Sequence, residues 1–360
     1  MKIDSAITCL LHGRDLSRAD AETIFRQVFQ QNVPESKIKT LLLLLAKKGE
    51  TAGEVSGCLS ALEFLEKPSR VSIPGLIDTC GTGGDGKQSL NISTLAALVI
   101  AGAGGKVAKH GNRAISSHCG SSDLMEALGV NLTASKSKMV ESIRKFGVGY
   151  FHAPYHHPIF SRMQALRKKI KSRTIFNLLG PLANPLNVTA QIVGVSSPAT
   201  LKLYAEVLRD RKRSALVCHS RDGFDEISSA VPTSAAKILN GKIIWGRIEP
   251  SRLAFDRSRK GMPEMTSIRE SKNLALRLLQ NKLQGPARDT VVLNAAAGLW
   301  ISGKAKGLRE GVKMADDSIL SGAAYRALQG LVISASPRRH EEKSRFFKTQ
   351  ISRRKKRSSR

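Results

Sequence analysis

A chain of 360 residues with 41% hydrophobic content is long enough to bury a full core and to hold two domains. Its five cysteines, Cys9, Cys58, Cys80, Cys119 and Cys218, are odd in number and lack Cys-x-x-Cys spacing, which argues against a disulfide scaffold or zinc site and for a reducing, cytoplasmic setting. The formal charge of +29 exceeds what anionic substrates alone require, and no apolar run approaches the roughly 20 residues that span a bilayer, so no membrane partner is expected.

Residues 1–70 read as a small helical domain. Ser17 is a predicted N-cap, with Asp20 three residues later as an imperfect capping box. Ile24, Val28 and Phe29 recur at helical spacing. A helix runs from Pro34 through Lys48 and stops at Gly49, and another follows from Thr51 to Leu65. Their apolar stripe suits a helix-packing core and suits equally a face buried against a second subunit.

From Pro74 onward short β-rich runs alternate with helical patterns. Predicted strands are Leu76–Cys80, Lys106–Lys109, Val148–Phe151, Gln191–Val195 and Ala215–His219, with helices such as Thr94–Ala103, Ser135–Phe146 and Ala199–Asp210 between them. The alternation predicts an α/β domain over 71–335, its mostly parallel sheet flanked by helices. Pro154 to Lys171 reads as a hinge back to the helical domain, which part of 154–188 is expected to join. Residues 336–360 form a basic tail, expected to be disordered: Arg338 to Arg360 holds eleven Lys/Arg against Glu341 and Glu342.

Three segments carry the chemistry. The first is Asp78-Thr-Cys-Gly-Thr-Gly-Gly-Asp-Gly-Lys-Gln-Ser-Leu-Asn-Ile-Ser-Thr94, a strand, a glycine loop and a helix start. Glycine allows close backbone approach, and a helix N-terminus offers unpaired N–H groups, so the pattern is an anion site. Gly81, Gly83 and Gly86 satisfy G-x-G-x-x-G, but the next strand ends in Lys109 and His110, which suit phosphate and not a ribose diol. The near-Walker match fails because Gln88 stands where a hydroxyl must hold magnesium, which leaves Lys87 a solvated loop lysine. The second segment, Lys109-His-Gly-Asn-Arg-Ala-Ile-Ser-Ser117, leads to Gly120-Ser-Ser-Asp123, a predicted N-cap cluster for a helix over Leu124–Leu128. The third, Arg221-Asp-Gly-Phe-Asp-Glu-Ile-Ser228, places Asp225 beside Glu226, and adjacent acids on an irregular segment suit Mg2+ bound with most of its waters.

Together these motifs, with Arg173-Thr-Ile-Phe-Asn-Leu-Leu-Gly-Pro-Leu-Ala-Asn-Pro185, occur in the order and spacing of the anthranilate phosphoribosyltransferase family, which the chain resembles from about Leu16 to about Val332. The resemblance implies transfer of the phosphoribosyl group of phosphoribosyl pyrophosphate to the amine of anthranilate, with Mg2+ as cofactor, in tryptophan biosynthesis. It implies that Gly81, Gly84, Asp85, Ser89, Asn91, Ile92, Ser93, Thr94, Lys109, Ser117 and Ser121 bind phosphoribosyl pyrophosphate, Lys109 and Asp85 acting electrostatically. Gly81, Asn112, Arg167, His110 and His157 would receive anthranilate, and Ser93, Asp225 and Glu226 would hold the metal. It further implies a homodimer through the helical domain, while Arg173 is expected to be structural. Two departures stand out: Ser89 replaces a common threonine, and His118-Cys119 replaces a common Lys-Ser pair. Two alternatives remain. One is a relative that has lost catalysis and binds nucleic acid through its basic surface, although such relatives lose the glycine loop and the Asp-Glu pair kept here. The other is a pyrimidine nucleoside phosphorylase-like enzyme, whose first loop differs.

Overall fold

A computed structural model of the chain describes residues 1–69, 71–83, 90–114, 118–170, 172–253, 255 and 262–336. Four helices come first: α1 (Ile3–Leu11), α2 (Arg18–Phe29), α3 (Glu35–Lys48) and α4 (Ala52–Glu66). The sequence reading had singled out the last three and not α1. Ser17 caps α2, its Oγ accepting from Asp20 N at 3.1 Å. Thr51 and Glu54 form a reciprocal capping box on α4, and the buried Glu54 carboxylate also accepts from Leu16 N and pairs with Lys48. The apolar stripe of α2 (Ala21, Ile24, Phe25, Val28, Phe29) is buried inside the chain itself. These α2 residues are therefore core, whereas Phe64 of α4 stays exposed.

Next in chain order come β1 (Leu76–Gly81), α5 (Ile92–Gly102), β2 (Lys106–Gly111), α6 (Ser121–Ala127), α7 (Lys136–Phe146), β3 (Val148–His152), α8 (Ala153–His156), α9 (Pro158–Ile170) and α10 (Ile175–Leu179). They are followed by β4 (Ala190–Gly194), α11 (Pro198–Asp210), β5 (Ser214–Ser220), β6 (Thr233–Leu239) and β7 (Lys242–Ile248). Four helices close the described chain: α12 (Ile268–Leu279), α13 (Pro286–Ile301), α14 (Leu308–Leu320) and α15 (Ala323–Ala335).

The seven strands form one sheet in the order β3-β2-β1-β4-β5-β6-β7, parallel from β3 to β5 and antiparallel at β6 and β7. After β1 the chain winds outward to β2 and β3, then returns to place β4 on the other side of β1. That reversal leaves a crevice beyond the carboxyl ends of β1 and β4, the usual ligand position in such sheets. Side chains alternate across the sheet. Ile192, Leu216 and Cys218 face the core built with α5 and α13–α15, while Val193, Ala215 and Val217 face α11 and the helical bundle.

The segment after β3 packs against the N-terminal helices. Ile159, Met163, Leu166 and Ile170 of α9 join their core, and Phe176 of α10 meets the rings of Phe25 and Phe29 at 6.3 and 6.0 Å. The Phe-Asn motif is thus a plug into the bundle, whereas Arg173 beside it is exposed and makes no hydrogen bond or ion pair among the described residues. Two further corrections concern local structure. Helix α6 begins at Ser121 and not Leu124, because the Asp123 carboxylate reaches back to Gly120 N at 3.0 Å and to Ala114 N at 2.9 Å. The β6–β7 hairpin, absent from the sequence reading, turns at Asn240 and Gly241, both at positive φ of 50° and 73°.

Candidate active site

Strand β1 delivers the first loop. Asp78 and Thr79 are buried within the strand, and Thr79 Oγ1 donates to Ser93 O at 2.8 Å, which fixes the start of α5 against the strand. At the other edge of the crevice, Thr82 N donates to Gly194 O at 2.9 Å. The loop that follows β5 crosses directly over this point. Asp225 Oδ2 accepts from Gly83 N at 2.8 Å and Glu226 Oε1 accepts from Ser93 N at 3.2 Å. The approach is close enough to exclude side chains beneath it. A Cβ on Gly81 would lie 2.4 Å from Asp225 Oδ2, and one on Gly194 would lie 1.4 Å from the Asp225 carbonyl oxygen. Glycine at both strand ends is the condition for two carboxylates to reach the glycine loop and the helix start.

The structure therefore brings together Gly81, Ser93, Asp225 and Glu226, which sequence reasoning had linked only through the resemblance. Ile92 is buried as the first residue of α5, and Asn91 Nδ2 donates to Cys119 O at 3.0 Å, tying the first loop to the second. Asn91 Oδ1 and Thr94 Oγ1 are buried and have no hydrogen-bond partner among the described residues. Gly84, Asp85, Ser89 and Ser117 lie outside the described residues. In the His118-Cys119 departure, Cys119 is buried and contributes its carbonyl to Asn91, so the changed side chain does not take over that contact.

The second loop grows from β2. Lys109 is buried and its ammonium donates to His110 O at 3.1 Å. Below it, buried Asp78 accepts from His110 N at 3.1 Å and from Asn184 Nδ2 at 2.8 Å. Burial pushes the Asp78 carboxyl up, and the charge of Lys109 and these hydrogen bonds pull against that shift. Ser121 Oγ accepts from Asn112 N at 3.1 Å and from the Tyr150 hydroxyl at 3.1 Å, so Asn112 and the start of α6 form one unit.

The two predicted histidines meet. The rings of His110 and His157 lie 5.0 Å apart at 70°, and both are buried. His110 Nδ1 lies 3.1 Å from Gly180 O, and His157 Nδ1 contacts Glu66 Oε2. Burial, and then the neighbouring His157 and Lys109, hold His110 well below the usual imidazole range. Glu66, the last residue of α4, escaped sequence reasoning; it stands 91 positions from His157, and no local pattern marks it. Arg167 on α9 is half-buried and makes no hydrogen bond or ion pair among the described residues, and burial lowers its pKa. No hydrogen bond joins it to His110, His157 or Asn112, so its place at the site rests on the resemblance alone.

The donor set suits a hard divalent cation. Two carboxylates and the Ser93 residue meet at the mouth of the anion loop, and glycine at 81 leaves the space they need. Among the described residues no cluster of three His, Cys, Asp or Glu could hold a metal. Magnesium does not need one, since it binds through one or two carboxylates together with water and substrate phosphates.

Comparison with known proteins agrees with this architecture. Residues 74–325 match the model of the glycosyl transferase family a/b domain, and residues 4–63 match its helical bundle domain. Anthranilate phosphoribosyltransferase from Pelotomaculum thermopropionicum is 40% identical over 92% of this chain and 96% of its own. That from Desulfosudis oleivorans is 38% identical over 90% and 96%. Among solved structures, the Thermus thermophilus anthranilate phosphoribosyltransferase superposes with a TM-score of 0.86 at 36% identity, covering 92% of this chain and 99% of that one. The Saccharomyces cerevisiae enzyme, in complex with PRPP and Mg, superposes at 0.82 with 25% identity over 92% and 97%. With two family models in the expected order and relatives matched over nearly their whole length, the chain belongs to the anthranilate phosphoribosyltransferase family.

Proposed function

We propose that this chain transfers the phosphoribosyl group of phosphoribosyl pyrophosphate to the amine of anthranilate, releasing pyrophosphate, as a step of tryptophan biosynthesis. The observation that carries the reading is the meeting of the Gly81–Gly83 backbone, the start of α5 and the Asp225–Glu226 pair at the sheet's switch point. The chemical problem is departure of pyrophosphate from an anomeric carbon. Charge builds on the leaving group while the sugar becomes oxocarbenium-like, so alignment and electrostatics dominate. The glycine loop and the positive end of α5 face the pyrophosphate, with Asn91, Ser93 and Thr94 beside the ribose, while Gly83 N and Ser93 N hold the Asp225 and Glu226 carboxylates in place. Lys109 and Ser121 neutralise and orient phosphate oxygens. Asp225, Glu226 and Ser93 hold Mg2+, which when bound offsets charge on the departing pyrophosphate. Arg167 pairs with the anthranilate carboxylate, and Asn112, His110 and His157 line the aromatic ring's place.

The helical domain of residues 1–70, joined by part of 154–188, and the α/β domain of residues 71–335 act as two bodies, with the aromatic site at their junction. The protein works in the cytoplasm as a homodimer through the helical domain, and sedimentation velocity tests that assembly. No helix among the described residues is long and apolar enough to cross a membrane. The net charge of +29 favours an additional nonspecific contact with nucleic acid through the basic tail, tested by DNA affinity that falls steeply with salt and by its loss on tail removal.

The central test is loss of anthranilate fluorescence when phosphoribosyl pyrophosphate and magnesium are added to the purified chain. A magnesium-dependent decay, abolished in the Asp225→Asn/Glu226→Gln double variant, is expected. Folded protein that binds neither substrate would end the transferase reading and favour the nucleic-acid-binding alternative.

A further inference from the structure

The hydrogen bonds of the histidine pair fix which nitrogen each ring turns toward a ligand. A carbonyl oxygen only accepts, so His110 Nδ1 is the donor to Gly180 O. A carboxylate also only accepts, so His157 Nδ1 carries the proton shared with Glu66 Oε2. Both rings, when neutral, therefore present Nε2 as a lone-pair acceptor. Each Nε2 is buried and without a hydrogen-bond partner among the described residues, in residues that are each only 5% exposed. Buried acceptors left unmatched are costly. Two of them on rings 5.0 Å apart call for a ligand that brings two N–H donors on one small centre. A primary aromatic amine is such a group.

We infer that the Nε2 atoms of His110 and His157 receive the two N–H bonds of the acceptor amine, and that Glu66 is the positioning residue that makes His157 the proton acceptor. This rests on the transferase reading above and deepens it. Glu66 is itself held in place, since its Oε1 accepts from Ile159 N at 2.9 Å while Oε2 engages His157. The last residue of α4 thereby clamps the first turn of α9 to the histidine pair. The titratable and charged groups facing the pair are Glu63 and Glu66 from α4, Lys136 from α7, His156 at the end of α8, and Asp78 and Lys109 from the sheet. Of the two rings, only that of His157 has a carboxylate against it.

The step balances without another reactant. The amine lone pair forms the bond to the anomeric carbon as the carbon–oxygen bond to pyrophosphate breaks, its electron pair staying on oxygen. The nitrogen then carries a positive charge. One of its protons passes to His157 Nε2, leaving a neutral secondary amine and an imidazolium backed by Glu66, which returns the proton to solvent.

The test uses the full chain and two readouts. The first is the pH profile of kcat/KM for anthranilate in wild type, Glu66→Gln and His157→Phe. The second is the dissociation constant of anthranilate against that of benzoate, which keeps the carboxylate and lacks the amine. We expect His157→Phe to lower kcat about 10²-fold, the range of a lost general base. We expect Glu66→Gln to lower kcat about 10-fold, the scale of one lost hydrogen bond to a charged group, and to change the shape of the pH profile with the KM for phosphoribosyl pyrophosphate unchanged. His157→Phe should also lose the preference for anthranilate over benzoate while benzoate still binds. A Glu66→Gln profile that superposes on wild type apart from scale would reduce Glu66 to a structural contact and overturn the inference. So would a His157→Phe protein that keeps its preference for the amine. If Glu66→Gln does not fold, His110→Phe leaves the Glu66 clamp untouched and carries the same comparison: lost preference supports the pair, retained preference refutes it. Wild-type protein that binds phosphoribosyl pyrophosphate yet never consumes anthranilate would instead defeat the transferase reading itself.

Discussion

Replacing Gly194 by alanine tests whether the strand ends, and not the carboxylates alone, build the metal-binding corner. The new Cβ would lie 1.4 Å from the Asp225 carbonyl oxygen, whereas ordinary contact begins at 3.4 Å, so the 225–226 backbone must retreat by about 2 Å. That retreat breaks the 2.8 Å bond from Gly83 N and the 3.2 Å bond from Ser93 N, each to a carboxylate. Hydrogen bonds to charged groups contribute about 1.5–3 kcal/mol, and overpacking adds roughly 1–3 kcal/mol of destabilisation. Misplacement of a catalytic group by about 1 Å can cost 10²-fold in rate, so a loss of at least about 10² in kcat/KM is expected. The magnesium concentration for half-maximal rate should rise. The assay is anthranilate fluorescence decay over a magnesium titration, with thermal melting alongside to record the stability cost. Gly246→Ala is the control, since a Cβ there meets nothing within 4 Å and the residue has no positive φ. A Gly194→Ala protein with wild-type magnesium dependence and kcat/KM within two-fold would refute the argument, because it would show that the 225–226 loop need not sit against β4.

Lys109→Ala should cost about 2–4 kcal/mol of transition-state stabilisation, about 10²–10³ in rate, read as kcat/KM for phosphoribosyl pyrophosphate; unchanged kinetics would remove Lys109 from the phosphate site. Arg167→Ala should raise the anthranilate KM about 10- to 100-fold, the loss of one charge-assisted contact, and an effect confined to the phosphoribosyl substrate would place the aromatic pocket elsewhere. Stability should fall as pH drops. Burial, and then the charges of Lys136, His157 and His152, lower His156 to about 4, and burial also holds His110 well below its ordinary value. The unfolded chain, titrating near 6.5, therefore binds these protons first. The penalty is absent above about pH 6.5 and grows toward pH 4, at up to about 1.4 kcal/mol per pH unit for each histidine and less for the part-exposed His156. Melting temperatures from pH 7 to 4 check this, and His156→Asn should flatten the slope; an unchanged slope would assign the acid sensitivity to other groups.

What could be read from the sequence was whatever is local in the chain. Strands β1 to β5 are short, apolar and bounded by turn residues, so period and composition located them within one or two residues. The glycine loop and the start of α5 are contiguous, and their anion-binding character follows from residue types alone. Strands β6 and β7 were missed although a strong local signal was present. Asn240-Gly241 between Thr-Ser-Ala-Ala-Lys-Ile-Leu and Lys-Ile-Ile-Trp-Gly-Arg-Ile is a two-residue hairpin turn, but the alanines and the exposed, apolar β7 obscured the alternation around it. Helix α1 carries no such start signal, since Lys2 at its N-cap makes no side-chain capping bond. Asp225 and Glu226 were visible as a pair. That they reach Gly83 N and Ser93 N was not, because those contacts span 142 and 133 positions and depend on Gly81 and Gly194 at two different strand ends.

The two halves of the site differ in legibility for a physical reason. The proposed phosphate half is built around a glycine loop and a helix start, so its identity lies in glycine spacing, which is visible in one dimension. The amine half is made of side chains whose chemistry is set by partners from other elements. His110 takes its tautomer from Gly180, 70 positions away, and His157 takes its own from Glu66, 91 positions back in the helical bundle. A histidine in a sequence is both donor and acceptor until such a partner removes one choice. On the inference drawn above, discrimination of the acceptor amine follows from how the bundle sits on the α/β domain. A substitution that shifts α4 against α9 should therefore change which acceptor is used before it changes how the pyrophosphate is held.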